Sequence, residues 1–307
     1  MKYTIGIDVG GTNIKAGIVY KGRVVDKLDI ETYAEDGPEI CINQIKSAIK
    51  KFLYKASAIG IGIAGIIDSK NGVVRYSPNL RGWQDIKLAQ ILKRRFKKTI
   101  KILNDVNAIL LGEWVYGAGR GYKNIFLFTL GTGIGGAAVC EGRLVFGANG
   151  FAGEFGHTII NFNGPECLCG NYGCLERYVG ARYIVELAQK KIKKSNSRLK
   201  KYRRLTPKCI AEEAKMGDCV AQEVFKEIGY YIGIGVSNIV NLFDPELMII
   251  SGGISRAGRI LFEPIRKTVA KRVIGHKYRG VKIIPAKLGD NAGILGSAYF
   301  AGVRNFA

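Results

Sequence analysis

The chain has 307 residues, 47 of them Lys or Arg against 25 Asp or Glu, giving a formal net charge of +22 at neutral pH. A chain this long buries about three quarters of its unfolded surface, enough for one large or two medium domains without a disulfide framework. Its 47% hydrophobic and 23% charged residues, with 41 Gly and 7 Pro, exclude a disordered chain, a collagen-like repeat and a coiled coil.

The first third predicts a β-meander, with strands at 3–9, 14–20 and 23–30 and a Gly-rich turn after the first. A helix follows at 38–54, with Ile42, Ile45, Ile49 and Phe52 on one face, then a strand at 58–64. Next come a helix at 86–96, a strand at 100–103 and a helix at 106–116. After GAGRGY at 117–122, strands at 125–130 and 137–141 flank a second Gly-rich turn and echo the opening. A long loop through 147–175 precedes helices at 181–194 and 220–242. A strand at 246–250, a helix at 260–274, a strand at 281–285 and a helix at 292–300 complete the chain. Alternating strands and helices predict an α/β fold of two lobes with a ligand cleft outside the carboxyl ends of the strands. The expected smaller lobe is 1–117, joined by a C-terminal helix 291–307; the larger is 118–290. Apolar runs such as IFLFTL are broken well short of the about 20 residues that span a bilayer, and the N-terminal segment lacks a signal-peptide apolar stretch. A soluble, cytoplasmic protein without membrane contact is expected.

Two basic runs hold fourteen of the 47 cations: KRRFKK at 93–98 and KKIKKSNSRLKKYRR at 190–204. The first lies on a helix whose apolar positions are Leu88, Ile91, Leu92 and Phe96, so its charges form a solvated face. The second reads as an exposed helix end and loop. A solvated surface, a polyanion contact and an oligomer rim remain open for these runs. Seven cysteines cannot all pair, and Cys41, Cys140, Cys209 and Cys219 read as reduced, mostly buried thiols.

Three Gly-rich turns follow apolar strands: DVGGTN at 8–13, GTGIGG at 131–136 and SGG at 251–253. Glycine lets backbone amides approach phosphate oxygens, and Thr12 and Thr132 add hydroxyls. GIGIAG at 60–65 and GTGIGG both match G-x-G-x-x-G, but strand or turn sequence follows each where a dinucleotide site needs a helix, and no P-loop sequence occurs. Cys167, Cys169 and Cys174 lie within eight residues, ten residues after His157. Three thiolates and an imidazole suit tetrahedral zinc, although the tight C-x-C leaves a reduced Cys-rich loop with a packed histidine as the alternative.

DVGGTNIK at 8–15, GIAG at 62–65, PNLRGW at 78–83, NDVNA at 104–108, TLGTGIGG at 129–136, GEFGH at 153–157, CLCGNYGCLE at 167–176 and ISGGIS at 250–255 together resemble the ROK group of sugar kinases, inside the superfamily of actin, hexokinase and the seventy-kilodalton chaperones. The match spans nearly the whole chain. It implies a two-lobed actin-like ATPase fold with ribonuclease H-like lobes and an interlobe cleft, and ATP-dependent phosphorylation of glucose at the 6-hydroxyl. Broader hexose specificity, or a kinase for mannose, fructose, allose or N-acetylmannosamine, is the alternative, because Tyr178 to Ala181 depart from the small-residue pattern that often follows the glutamate in glucose enzymes.

The resemblance implies that Asp105 is the general base and that Gly65, Asn79, Asn104, Asp105, Glu154, His157 and Glu176 contact the sugar. On the nucleotide side it implies Asp8, Gly10, Gly11, Thr12, Thr132, Gly133 and Gly253, with Asp8 organising Mg2+. His157, Cys167, Cys169 and Cys174 match the group's structural zinc motif, with the second ring nitrogen of His157 left for the sugar. Read without the resemblance, Asp105 would be a helix N-cap, Glu176 a helix N-terminal acid and Asp8 a strand-end cap. Lys15 lies inside a strand and is expected at the surface or only near the phosphates, not as a phosphate ligand. A homodimer or homotetramer is expected. Sugar-responsive repressors resemble these kinases but carry an N-terminal helix-turn-helix, and with a first strand from Tyr3 no dedicated nucleic-acid-binding module is expected.

Overall fold

The computed structural model describes residues 2–193 and 195–303. They group into two compact units, Met1–Gly121 with Gly142–Ala152 and Lys287–Ala307, and Tyr122–Glu141 with Gly153–Ala286. These units differ from the expected lobes at 118–121, 142–152 and 287–290, all of which group with the first unit. In 142–152 the Phe146 ring packs 6.4 Å from that of Phe300, and Gly150 lies beside the Ile67 carbonyl.

The sheet of the first unit runs Arg23–Glu31, Asn13–Tyr20, Tyr3–Val9, Ala56–Ile63, Thr99–Asn104. The first three strands are antiparallel neighbours, and Tyr3–Val9, Ala56–Ile63 and Thr99–Asn104 are parallel. Alternation within the two central strands divides the faces. Ile5, Ile7 and Val9 pair with Ile59, Ile61 and Ile63 on a face packed by Cys41, Ile45 and Ile49 of helix Pro38–Phe52 and by Leu88, Leu92 and Phe96 of helix Leu88–Phe96. Ile91, expected in that apolar row, is exposed.

The opposite face carries glycine. Gly6 pairs with Gly60 and Asp8 with Gly62, and helix Ala292–Gly302 lies directly on them. A Cβ at Gly6 would fall on the Ile294 carbonyl oxygen, and one at Gly60 on that of Ser297. The same helix meets helix Asp105–Tyr116 through Gly296 against the Ala108 carbonyl and Gly112 against that of Ala292. Side chains at these positions would hold the helices off the sheet. Of the expected helix 291–307, residues 304–307 lie outside the described residues.

Glu113, fully buried, ties the base of this assembly. Its carboxylate accepts from the amides of Ala118 at 2.8 Å, Lys287 at 2.9 Å and Leu288 at 2.7 Å. The backbone amides replace the water this carboxylate gives up. A three-stranded sheet of Ile66–Asp68, Val73–Tyr76 and Gln84–Ile86 fills part of a segment for which sequence periodicity gave no distinct elements.

In the second unit, strands Ile134–Cys140, Ile125–Leu130, Leu247–Ser251 and Lys282–Pro285 lie side by side in that order, the first pair antiparallel and the others parallel. Both sheets therefore begin with a hairpin across a Gly turn and continue with a parallel strand, the repeat visible in sequence. Helices Cys219–Phe243 and Arg259–Arg272 pack closely, with Gly229 against Pro264 and Gly233 against Thr268. Helix Ala181–Ile192 ends just before Lys194, which lies outside the described residues. Helix Pro207–Lys215 was not anticipated. Cys41 and Cys209 are buried as expected and Cys140 half-buried, but Cys219 is exposed at the first position of its helix.

Glu213 closes the basic segment onto helix Pro207–Lys215. It accepts from Lys201 Nζ at 2.6 Å, Arg198 Nε at 2.8 Å and Tyr202 Oη at 2.9 Å. Hydrogen bonds from Lys201 and Arg198 hold its carboxyl down at about 2.

Replacing Gly60 by Ala should lower the thermal midpoint by about 5 °C or more, whereas Ala at exposed Gly280, where a Cβ meets open space, should leave it within about 1 °C; equal midpoints would contradict close helix-to-sheet packing. The lowered Glu213 pKa contributes stability above the unfolded carboxyl's range, lost as pH falls toward about 2. Denaturant unfolding should therefore find Glu213→Gln less stable than the parent at pH 7, with the difference shrinking steadily from pH 5 to pH 3.

Candidate active site

The three parallel strands of the first unit end together, and their carboxyl ends carry Asp8, Gly65 and Asn104. Lys15, Asp8 and Gly62 stand side by side across the sheet on its glycine face. Because Gly62 has no side chain, Asp105 Cα comes within 3.5 Å of where a Cβ would stand. Gly293, in the first turn of helix Ala292–Gly302, leaves room for the Asp8 carboxylate, whose Oδ2 would be 2.6 Å from an added Cβ.

Asp8 is partly buried and its pKa is pushed up to about 7, by desolvation first and then by the charge of Asp105; Lys15 lowers it and Asp290 raises it. Lys15 is bound to Asp290 at 3.2 Å. Asp290 was not singled out in the sequence. The signal available was its place in LGDNAG, directly before a helix that packs on the first Gly turn's strand. Asp8, Asp105 and Asp290, with Lys15 among them, make a locally acidic patch in a chain with a large positive excess.

Asn104, not Asp105, caps helix Asp105–Tyr116. Its Oδ1 accepts from the amides of Val106 at 2.9 Å and Asn107 at 3.1 Å, and its Nδ2 donates to the Gly65 carbonyl at 3.0 Å. One side chain thus caps the helix and holds the loop after Ala56–Ile63. Gly65 has φ +121°, and a Cβ there would strike the Tyr76 carbonyl. The capping account of Asp105 is replaced: Asp105 is the first helical residue, beside Asp8.

In the turn after Tyr3–Val9, Gly10 donates its amide to Asn13 O at 3.0 Å, and Thr32 binds both ends through Gly10 O and Thr12 O. Gly10 therefore shapes the turn through its amide. Gly11 and Thr12 are exposed, and among the described residues their amides have no internal acceptor. Asn79 is exposed, its backbone beside Gly11, on a turn anchored by buried Leu80 and Trp83.

The second unit brings together Thr132, Gly133, Gly253 and Glu176. Gly131 donates its amide to Gly133 O at 3.0 Å and accepts from Ala181 N at 3.0 Å. Glu176 opens the short helix Glu176–Val179, and its Oε2 accepts the Ile134 amide at 2.9 Å, filling the space a side chain at Gly133 would need. Glu176 thus braces the second Gly turn, a contact the sequence did not indicate. Gly252, with φ +88°, lies against Leu130, while Gly253 faces open space. Glu154 is exposed and precedes the short turn Phe155–His157.

His157, Cys167, Cys169 and Cys174 offer ligand atoms all within 4.8 Å of one another. His157 Nδ1 faces Cys167 Sγ at 4.0 Å, and Cys169 and Cys174 sulfurs are 3.7 Å apart. About 3.8 Å is the edge of a tetrahedron with zinc–sulfur bonds near 2.3 Å. The donors and their spacing fit zinc. Phe162, Leu168 and Tyr172 on this loop are exposed, so the loop has little apolar core of its own. Among the described residues no helix is long and apolar enough to cross a membrane.

Duplicated hairpin-led sheets with Gly turns and acidic residues at strand ends define the chain as an α/β protein of the actin and hexokinase type of ATPase architecture. The ROK family model matches residues 4–303, and the chain belongs to the ROK family. It is 37% identical to the glucokinase of Thermotoga maritima, over 96% of this chain and 95% of that protein. It is 33% identical to the xylose repressor of Caldicellulosiruptor bescii, over 95% of this chain and 76% of the repressor. The crystal structure of a ROK family glucokinase from Streptomyces griseus, in complex with glucose and AMPPNP, matches with a TM-score of 0.86 at 33% identity, covering 98% and 99% of the two chains.

Proposed function

We propose that this protein is a sugar kinase that transfers the terminal phosphoryl group of ATP to the 6-hydroxyl of glucose or a closely related hexose, with Asp105 as general base. The observation that carries this reading is the division of labour at the helix start. Asn104 supplies the cap, so capping does not account for Asp105, which stands at a strand end beside a second carboxyl. A carboxylate there can take the proton of the attacking hydroxyl as the oxygen turns toward phosphorus.

Asp8 suits the metal side of the reaction. A carboxyl raised by burial and neighbouring carboxylates is one whose charge a divalent cation relieves. Asp8 would hold Mg2+, directly or through water, and the ion would supply charge neutralisation between the phosphates. The backbone amides of exposed Gly11, Thr12 and Thr132 and of half-buried Gly133 are suited to phosphate oxygens, with Gly253 leaving backbone approachable. Asn79, Asn104, Glu154, His157 and Glu176, with the Gly65 backbone, offer the amide, carboxylate and imidazole groups that read paired hydroxyls.

With His157 Nδ1 on the cysteine side, Nε2 is left for the sugar, so a bound zinc would fix the imidazole's tautomer as well as its position. His157, Cys167, Cys169 and Cys174 would hold that ion in a closed structural site, and its chemistry is cross-linking. A hexokinase of broader range, or a kinase for mannose, fructose, allose or N-acetylmannosamine, is the second reading. It is favoured by Tyr178, whose hydroxyl accepts from Asn161 Nδ2 at 3.2 Å and whose ring lies 4.4 Å from Tyr231, filling the underside of the Cys-rich loop.

Asp105→Asn should lower turnover with MgATP and glucose by about 10³-fold or more while leaving the sugar dissociation constant within about threefold. Unchanged turnover would remove the base assignment. Metal analysis should find one zinc per chain, and Cys169→Ser should lose it and raise the sugar KM. Protein purified without stoichiometric zinc yet fully active would contradict the structural site.

A further inference from the structure

Asp29, Lys15, Asp8 and Gly62 stand in one row across four neighbouring strands, on the glycine face of the first unit. Lys15 is thus flanked by two acids, and residues directly opposite in antiparallel strands have Cβ atoms about 5 Å apart. An ion pair across the sheet is the expected result. It does not form. Among the described residues the one ion pair of Lys15 is with Asp290, Nζ to Oδ1 at 3.2 Å. Asp29 accepts instead from Asn13 Nδ2 at 2.6 Å, and no basic side chain among the described residues is ion-paired with Asp8.

Asp290 reaches Lys15 from a distant part of the chain, on the turn Gly289–Asn291. That turn is fixed on both sides without the ion pair. Before it, Glu113 accepts the amides of Lys287 and Leu288. After it, Gly293 packs against the Asp8 side chain and the Ile294 carbonyl meets Gly6. The pair is also open to solvent, with 61% of the Asp290 side chain and 33% of the Lys15 side chain exposed, and ion pairs of that kind add little to stability. Holding the fold together therefore does not account for it. What the pair does fix is where Lys15 puts its charge.

We propose that Asp290 is a positioning residue that holds the Lys15 ammonium off Asp8 and so keeps the Asp8 carboxylate available to a divalent cation. The inference rests on the reading of Asp8 as the residue on the metal side of the reaction. An ammonium and a divalent cation compete for the same carboxylate oxygens. With Asp29 held by Asn13, a neutral residue at 290 leaves Asp8 as the acid of the row to which Lys15 turns. Removing a negative charge near the metal would weaken cation binding by itself, and the two accounts part at Lys15. If net charge alone decided, Lys15→Met would strengthen cation binding much as Asp290→Asn weakens it, and the two effects would add. If Asp290 acts by holding Lys15, the effect of Asp290→Asn disappears once Lys15 is gone.

The test is a titration of the full chain with Mn2+, a divalent cation that takes carboxylate ligands, followed by EPR with and without ADP. The parent is compared with Asp290→Asn, Lys15→Met, Asp290→Asn/Lys15→Met, Asp290→Glu and Asp8→Asn. Asp290→Asn should weaken Mn2+ binding by about tenfold, Lys15→Met alone should change it by less than about threefold, and the double variant should return to within about threefold of the parent. Asp290→Glu keeps the charge and should bind as the parent does, which separates loss of position from loss of fold. Additive effects of the two substitutions, or a double variant as weak as Asp290→Asn, would overturn the role of Asp290. Asp8→Asn losing Mn2+ while Asp290→Asn binds it normally would remove Asp290 alone. Asp8→Asn binding Mn2+ as the parent does would remove the metal reading of Asp8, and this inference with it.

Discussion

The first unit depends on how closely helix Ala292–Gly302 lies on its central strands. Isoleucine and glycine alternate in both, so one face is a conventional apolar core and the other is almost bare backbone. That bareness brings carbonyls of the helix down onto Gly6 and Gly60, and helix Asp105–Tyr116 down onto Gly62. Asp8 occupies the position on the glycine face that follows Gly6, and so meets the first turn of one helix beside the first residue of the other. Two carboxyls are held close by packing that no side-chain hydrogen bond between them would provide. The Asp8 pKa is raised first by burial under that packing and then by the charge of Asp105.

The second unit solves a different problem. Its Cys-rich loop exposes Phe162, Leu168 and Tyr172, too little burial for the loop to hold its own shape, and the four convergent ligand atoms are the alternative means of ordering it. Glu176 lies two residues beyond Cys174 and reaches the amide of Ile134. A chain of short links therefore runs from the Cys and His cluster to the Gly turn at 131–133. The net charge is distributed with the same economy. Acids gather around Asp8, while the described cations of segment 190–204 divide between those paired with Glu213, Glu223 and Glu227 and those that face one open concavity.

Much of this was legible in the sequence. Strand and helix order followed from periodicity, the repeated hairpin from the two Gly turns, and a candidate metal cluster from the spacing of one His and three Cys, whose ligand atoms the structure brings within 4.8 Å of one another. The failures have physical causes. Asp105 read alone as an N-cap because Asp and Asn are nearly equal as caps, and only coordinates show that Asn104 takes the amides. Asp290 escaped notice because its partners, Lys15 and Asp8, are more than 270 residues away in sequence. The short strands Ile66–Asp68 and Gln84–Ile86 are three residues each, too brief for a period to register. Gly142–Ala152 groups with the first unit, where Phe146 packs on Phe300, a contact between distant segments that local composition does not encode.

The Ile and Gly alternation was itself a readable signal. A strand with isoleucine on one face and glycine on the other announces that something must lie very close on the glycine side, and an acid in that row stands where a helix begins. The proposed phosphoryl transfer is tested most directly by measuring kcat/KM of the purified protein with MgATP against a panel of hexoses and N-acetylhexosamines, with the phosphorylated position assigned by NMR. The account predicts transfer to the 6-hydroxyl of glucose or a near relative. Folded, sugar-binding protein that phosphorylates no sugar in the panel would contradict it.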